Sequence, residues 1–126
     1  MLSVRQNLGL LVSSGAPAPT AGSVRAWGST LGGVAAPARS ALGVDASGNL
    51  VYAGSMSALP ADLAAALVAG GVRTAMELDI NPYWVQADAA AVPGGPLVAE
   101  VARQNRAAGQ YLWGWTRDFV TVLARS

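Results

Sequence analysis

The sequence predicts an α+β fold with a mixed or antiparallel sheet and one main helix packed on one face of it. Three patterns indicate this in chain order: a β-hairpin over residues 39–54, a helix over 60–69 and a strand over 72–80. A strand pair, a helix and a returning strand bury their apolar sides best in two layers. The 126 residues suit a single domain over 1–126 with one core.

The first 23 residues give weaker signals than the rest. The apolar residues between Leu2 and Val12 are too few for a long helix and alternate imperfectly for a strand, so the type of this element stays open. Residues 13–23 contain several glycines and prolines, which predicts a loop there.

The clearest local pattern is the hairpin over residues 39–54. Two apolar runs flank Asp45, Ser47, Gly48 and Asn49. Asp45 can accept a hydrogen bond from the backbone two residues later, and Gly48 can supply the positive φ with which such turns end. This chemistry predicts a tight turn between two paired strands.

Helix signals follow directly. Pro60 suits a first helical position, Asp62 suits the positive end of the helix dipole, and Gly70-Gly71 suits a stop. Leu63, Leu67 and Val68 would form the buried stripe of this helix. The partial alternation from Val72 to Ile80 then predicts a strand that returns to the sheet.

The C-terminal third is harder to interpret. Residues 97–108 have helical propensity but a thin apolar stripe, so a helix and a loop are both open. Residues 119–123 are rich in β-formers and predict a final strand.

Composition excludes several classes of chemistry. Every basic residue is Arg, and the absence of Lys, His and Cys excludes an imidazole base, a Schiff-base lysine, a thiolate nucleophile and the usual zinc ligands. A net charge of +1 gives no field that would attract nucleic acid. No apolar run reaches the ~18 residues of a membrane span. The sequence identifies no cofactor and predicts no metal site.

Charged residues make up only 12% of the chain, about half of the roughly 25% of an average soluble domain. Such a surface is poorly supplied with charge. We therefore expect part of it to be covered by a second chain or by another copy in a homo-oligomer.

Two acidic residues are the candidate catalytic groups. Glu77 and Asp79 lie two apart in the last predicted strand of the hairpin–helix–strand unit, so their side chains should share one face, roughly 6.5–7 Å apart along the chain. Paired carboxylates at such spacing are typical of glycoside hydrolysis. The alternative is structural: one carboxylate pairs with an Arg and the other caps the turn at Asn81-Pro82.

Further residues suit substrate binding. Arg39 and Arg117 could each offer a planar fork to a phosphodiester, although for any single arginine a surface or structural salt bridge is the favoured role, above all for Arg117 beside Asp118. Asn81 and Trp84 lie two and five residues after Asp79, and a Trp ring can stack on a sugar or fill a core.

The order of these motifs resembles the phosphodiester glycosidase domain family, in particular an actinobacterial branch of it. The resemblance is carried by Arg39-Ser40-Ala41-Leu42-Gly43-Val44, the Asp45 turn, the helix, and Ala75-Met76-Glu77-Leu78-Asp79. It covers nearly the whole chain and matches the family pattern at Arg39, Gly43, Leu78 and Asp79. The resemblance implies an extracytoplasmic or cell-envelope hydrolase that releases a sugar from a sugar-1-phosphodiester or related glycan.

Two departures from the family pattern are visible. Residues 80–84 replace the glycine-rich loop that the family carries after the aspartate, and the upstream Asn-Gly-Gly-Phe segment of the family has no counterpart here. The resemblance therefore implies the C-terminal portion of such a domain, with Asp79 and Glu77 as acids and Arg39 on a phosphodiester oxygen. The alternative function is a non-catalytic structural or carbohydrate-binding module of an envelope or multi-chain assembly.

Overall fold

A five-stranded antiparallel sheet with one helix on its face forms the centre of the molecule. The structure, a computed structural model, describes residues 9–28, 34, 36–114 and 120–123. The elements are β1 (Leu10–Ser13), β2 (Ala16–Pro17), β3 (Arg39–Asp45), β4 (Leu50–Ser55), α1 (Pro60–Ala69), β5 (Val72–Glu77), β6 (Asp88–Ala89) and β7 (Val98–Ala99). The large sheet has the order β2-β1-β5-β3-β4, and β6 and β7 form a separate two-stranded sheet. This architecture confirms the predicted α+β class with one main helix.

The β3–β4 hairpin confirms the clearest sequence prediction. Asp45 Oδ1 accepts hydrogen bonds from the backbone amides of Ser47 at 2.8 Å and Asn49 at 2.9 Å, and its Oδ2 accepts one from Asn49 Nδ2 at 2.8 Å. Gly48 has a φ of +84°, which a glycine adopts without steric cost. The bonds from the side chain and backbone of Asn49 lower the pKa of the Asp45 carboxyl.

Helix α1 confirms the second prediction and covers one face of the sheet. It begins at Pro60 and buries Leu63, Ala64 and Leu67 against the strands, with Val68 partly buried beside them. The amide of Gly70 donates to the carbonyl of Ala66, so the helix ends at the predicted glycine pair. Together with apolar residues of β1, β3 and β5, this helix forms the larger core.

The prediction of a loop over residues 13–23 is wrong at its beginning. Ser13 belongs to β1, and Ala16–Pro17 forms β2, which pairs with β1 through Val12 and Pro17. Ser14 and Gly15 have φ values of 52° and 76°, so these two residues form the kind of turn that joins short hairpin strands. Pro17 is tolerated because β2 is an edge strand.

The C-terminal segment, residues 84–110, packs on the other face of the sheet with little regular structure. Ala38, Val85 and Val101 form a small second core there, with Tyr52 and Met56 packed against it. Residues 97–108 form no helix, since only β7 and isolated turns lie there.

The predicted final strand over 119–123 is not formed where the structure describes it. Residues 120–123 adopt no strand, and Val122 and Leu123 are 73% and 82% exposed. Phe119 lies outside the described residues. Within the ranges that the structure describes, no helix has the length and apolarity needed to cross a membrane.

Candidate functional site

The two candidate acids lie at the end of β5, the central strand of the sheet, next to β3: Glu77 is the last residue of β5, and Asp79 follows two residues later. Glu77 lies opposite Ala41 in the regular register. Beyond it, the amide of Leu78 donates to the carbonyl of Ser40 at 2.8 Å, whereas the amide of Ser40 donates to the carbonyl of Asp79 at 3.1 Å. Two residues thus oppose one, as in a β-bulge, and the alternation of side chains shifts there. Regular alternation along β5 therefore ends at Glu77. It does not place the Asp79 side chain on the same face of the sheet as Glu77.

Glu77 forms a buried ion pair with Arg39. Arg39 Nη1 lies 2.6 Å from Glu77 Oε1, and both side chains are 0% exposed. The sheet register explains the contact: Arg39 and Ala41 point to the same face of β3, and Ala41 is the residue opposite Glu77. This is the face that α1 covers, so the pair lies inside the protein.

The guanidinium of Arg39 has further partners. Nε donates to the carbonyl of Ala58 at 2.9 Å, Nη1 to that of Trp27 at 2.5 Å, and Nη2 to that of Gly28 at 3.1 Å. All three nitrogens therefore bind protein oxygens. Arg39 joins β5, the residues before α1 and the end of the 3₁₀ turn Val24–Trp27.

The second oxygen of Glu77 is buried without a hydrogen-bond partner among the described residues. Burial raises the pKa of the Glu77 carboxyl, and the hydrogen bond and charge of Arg39 act in the opposite direction. A raised pKa is typical of catalytic acids, but it also arises in structural pairs that are shielded from water.

Asp79 caps a turn. Its Oδ1 accepts a hydrogen bond from the amide of Asn81 at 2.7 Å. Asn81 Oδ1 in turn accepts one from the amide of Tyr83 at 3.0 Å, and the Asn81 carbonyl accepts one from Trp84 at 2.8 Å. Asp79 and Asn81, both candidate site residues, thus hold consecutive turns of backbone. This arrangement corresponds to the structural alternative for the two acids.

Trp84, another candidate residue, contacts an arginine. The Arg106 guanidinium carbon lies 4.8 Å from the centre of the Trp84 ring and 5.4 Å from that of Tyr83, which gives cation–π contacts. One aromatic residue, Trp113, is 88% exposed. Arg117 lies outside the described residues.

A cavity of about 280 Å³ opens between β4 and the first half of α1. It is lined by Ala53, Gly54, Ser55, Ser57, Ala58, Asp62, Leu63 and Ala66. Neither candidate acid lines it. Among the described residues that line it, Asp62 is the one ionisable group, so they offer no pair of carboxylates to a bound sugar.

Asp88 is a polar centre that sequence reasoning missed. Its carboxylate accepts hydrogen bonds from Gln86 Nε2 at 2.6 Å, Gln104 Nε2 at 2.9 Å and the amide of Gly109 at 3.2 Å. These partners are up to 21 residues away, and the only local signal was the nearby Gln86. The Asp88 cluster fixes loops of the C-terminal segment to one another.

Tyr52 lies on the same face of the sheet as the C-terminal segment. Burial raises the pKa of its hydroxyl, and Tyr111 and Asp79 lie within electrostatic reach of it. Among the described residues, no three of His, Cys, Asp and Glu lie where they could hold one metal ion. The geometry thus offers a buried ion pair and capped turns. Comparison of the whole chain with family models, with curated proteins and with solved structures finds no match.

Proposed function

We propose that this chain is a non-catalytic structural module of a multi-chain assembly. The observation that carries this proposal is how the two acids are used: Glu77 is fully buried in an ion pair with Arg39, and Asp79 caps the turn at Asn81. Both side chains bond to other groups of the protein, and neither lines the cavity beside α1.

Glycoside hydrolysis with paired acids needs a different geometry. The two carboxyl groups flank the scissile bond, and one of them must reach the sugar or a water molecule directly. A side chain that is 0% exposed and bonded to a guanidinium cannot do this without unfolding of its surroundings. The phosphodiester glycosidase activity suggested by the motif order therefore has less support, and it stays a prediction.

The assembly role draws support from the surface. Charge is sparse, and large apolar side chains are exposed at several places, among them Leu10, Leu50, Val92, Val98, Leu112 and Trp113. Exposed apolar area of this kind is typical of surfaces that contact other proteins. Stacking of a sugar ring on Trp84 and an extracytoplasmic location also stay predictions.

An assay of sugar release tests the proposal. We expect the chain to release no sugar from a methyl diester of N-acetylglucosamine 1-phosphate above the buffer rate. Asp79→Asn should give the same baseline, as should Glu100→Gln, which changes an exposed acid away from the site. Release by the unchanged chain that Asp79→Asn abolishes, with unfolding curves and the Glu100→Gln rate unaffected, would show that the protein is an enzyme.

A further inference from the structure

Strand β4 is a free edge of the large sheet. Ser40 directs its backbone groups to β5, as its bonds with Leu78 and Asp79 show. The alternation along β3 then directs Ala41 and Gly43 to β4, where they lie opposite Ala53 and Val51. The backbone groups of the intervening β4 residues point away from the sheet. These residues are Leu50, Tyr52 and Gly54.

No described residue bonds to these outward groups. The backbone of Leu50, Tyr52 and Gly54 has no partner in the described parts of the chain, and Leu50 is 57% exposed. Natural edge strands are usually protected by charge, proline or a bulge. The β4 segment Leu50–Ser55 has no charged residue and no proline, and its register with β3 is continuous. Its free edge is therefore open to another strand.

We propose that the occupant of this edge is β4 of a second copy of the chain, paired antiparallel about a twofold axis at Tyr52. With Tyr52 opposite its own counterpart, all three outward residues pair at once, which gives about six backbone hydrogen bonds. The pairing deepens the assembly role proposed above and rests on it for its biological meaning.

Side-chain sizes match in this register. Leu50 lies opposite Gly54 of the second copy, where it would contact the Val101 and Tyr52 side chains that pack beside that glycine. Val51 lies opposite Ala53, so a large side chain meets a small one there. Neither strand carries a charge, and like charges therefore do not oppose one another across the pair. One sequence thus supplies both complementary halves, which favours a second copy over an unrelated strand.

The cavity beside α1 fits the same arrangement. Val51 and Ala53 lie on the α1 side of the sheet, as their partners Gly43 and Ala41 do. Val51 of the second copy, placed opposite Ala53, would stand at the mouth of the 280 Å³ cavity, which Ala53, Leu63 and Ala66 line with apolar atoms. Pairing at the edge would therefore also bury apolar surface.

Mass measurement provides the first test. Light scattering on a sizing column should give twice the mass of one chain, with dissociation on dilution. Leu50→Pro removes an outward amide without touching the bonds to β3, and it should weaken dimerisation about tenfold or more. Leu50→Ala, the matched control, keeps that amide and should dimerise more strongly than the proline variant. A monomer at high concentration, or a dimer insensitive to Leu50→Pro, would overturn the proposal.

Cysteine cross-linking tests the register. The natural chain has no Cys. Tyr52→Cys should form a disulfide between copies under mild oxidation, since residues directly opposite in such a pair have Cα atoms about 5.5 Å apart. Leu50→Cys should not, because it lies opposite Gly54. If Tyr52→Cys unfolds, the double variant Val51→Cys with Ala53→Cys replaces it. Cross-linking through Leu50→Cys instead would disprove the register.

The dimer test and the sugar-release test fail independently. A monomer that releases no sugar would overturn the pairing and leave the non-catalytic assignment standing. A dimer that releases sugar, and loses this activity in Asp79→Asn, would support the pairing and overturn the non-catalytic assignment.

Discussion

Arg39 connects more distant parts of the chain than any other single side chain described above. It binds Glu77 in β5 and the carbonyls of Trp27, Gly28 and Ala58. A guanidinium suits this position because its donors are held in a rigid plane and it stays charged when buried. Its burial is tolerated because each nitrogen finds an oxygen.

Removing one member of the ion pair should be costly. Arg39→Met leaves Glu77 without a counter-charge, and Glu77→Leu leaves Arg39 without one, so each single change should lower the free energy of unfolding by about 3–5 kcal/mol. The double variant should lose much less than the sum of the two, since neither charge then remains buried alone. Urea unfolding of the four proteins measures this coupling. Additive losses would show that the pair contributes nothing as a pair.

Stability should also depend on pH through Glu77. The pKa of Glu77 is raised in the folded protein. Its contribution to the free energy of unfolding is therefore fully present below the ordinary glutamate pKa of about 4.3, and it is lost as the pH rises through the raised pKa. Unfolding curves between about pH 4 and 8 should therefore show a decline in the wild type that Glu77→Gln lacks. Asp45 and the other acids are common to both proteins, so the difference isolates Glu77. Parallel profiles would contradict the shift.

At the scale of elements, α1 begins without a side-chain cap. Leu59 occupies the N-cap position with extended backbone angles (φ −74°, ψ 152°), and its side chain cannot accept a hydrogen bond from the first turn. Serine or threonine usually fills this position. Leu59 is 36% exposed and belongs to neither core, so replacing it removes little packing.

Leu59→Ser should stabilise the protein. A serine hydroxyl can bind a free amide of the first turn, and such caps contribute about 1 kcal/mol. Thermal unfolding should show a midpoint several degrees higher than that of the wild type. Leu59→Ala, which shortens the side chain without adding an acceptor, should show no such gain. An equal rise in both variants would mean that loss of exposed leucine, and not capping, is responsible.

The elements that the sequence predicted correctly depend on neighbours a few residues away. The Asp45 turn and the Pro60 start of α1 need only local chemistry. Strand β2 was missed because its two residues become a strand only through pairing with β1 across the Ser14-Gly15 turn. Of the candidate site, the sequence shows the spacing of Glu77 and Asp79. The contact of Glu77 with Arg39 depends on strand register, and the direction of the Asp79 side chain depends on the bulge opposite Ser40. Neither can be read from spacing.

At the scale of the whole molecule, the described residues form two apolar clusters of unequal size on opposite faces of the sheet. The larger contains ten buried residues from the sheet, α1 and the N-terminal region, whereas the smaller contains only Ala38, Val85 and Val101. The C-terminal segment therefore rests on little buried area. We expect it to open locally at a lower free energy than the sheet.

Val101→Ala should loosen the C-terminal segment selectively. Val101 is 5% exposed, and truncating it should cost about 1–3 kcal/mol of local packing. Hydrogen exchange should become faster for amides between residues 84 and 110 and change little in β3 and α1. The control Val98→Ala alters an exposed valine and should leave both regions as they were. Equal acceleration throughout the chain would mean that the two clusters unfold together.

The Asp88 carboxylate gives that segment a cooperativity that its short strands could not supply. Gln86, Gln104 and Gly109 all bind this one group, so two separate loops end at the same acceptor. Loss of the hydrogen bonds to Asp88 would free both loops at the same time. An endoprotease should therefore cleave residues 88–109 either at no peptide bond or at several bonds together. Insertions in this range should be tolerated only where all three donors can still bond to the Asp88 carboxylate.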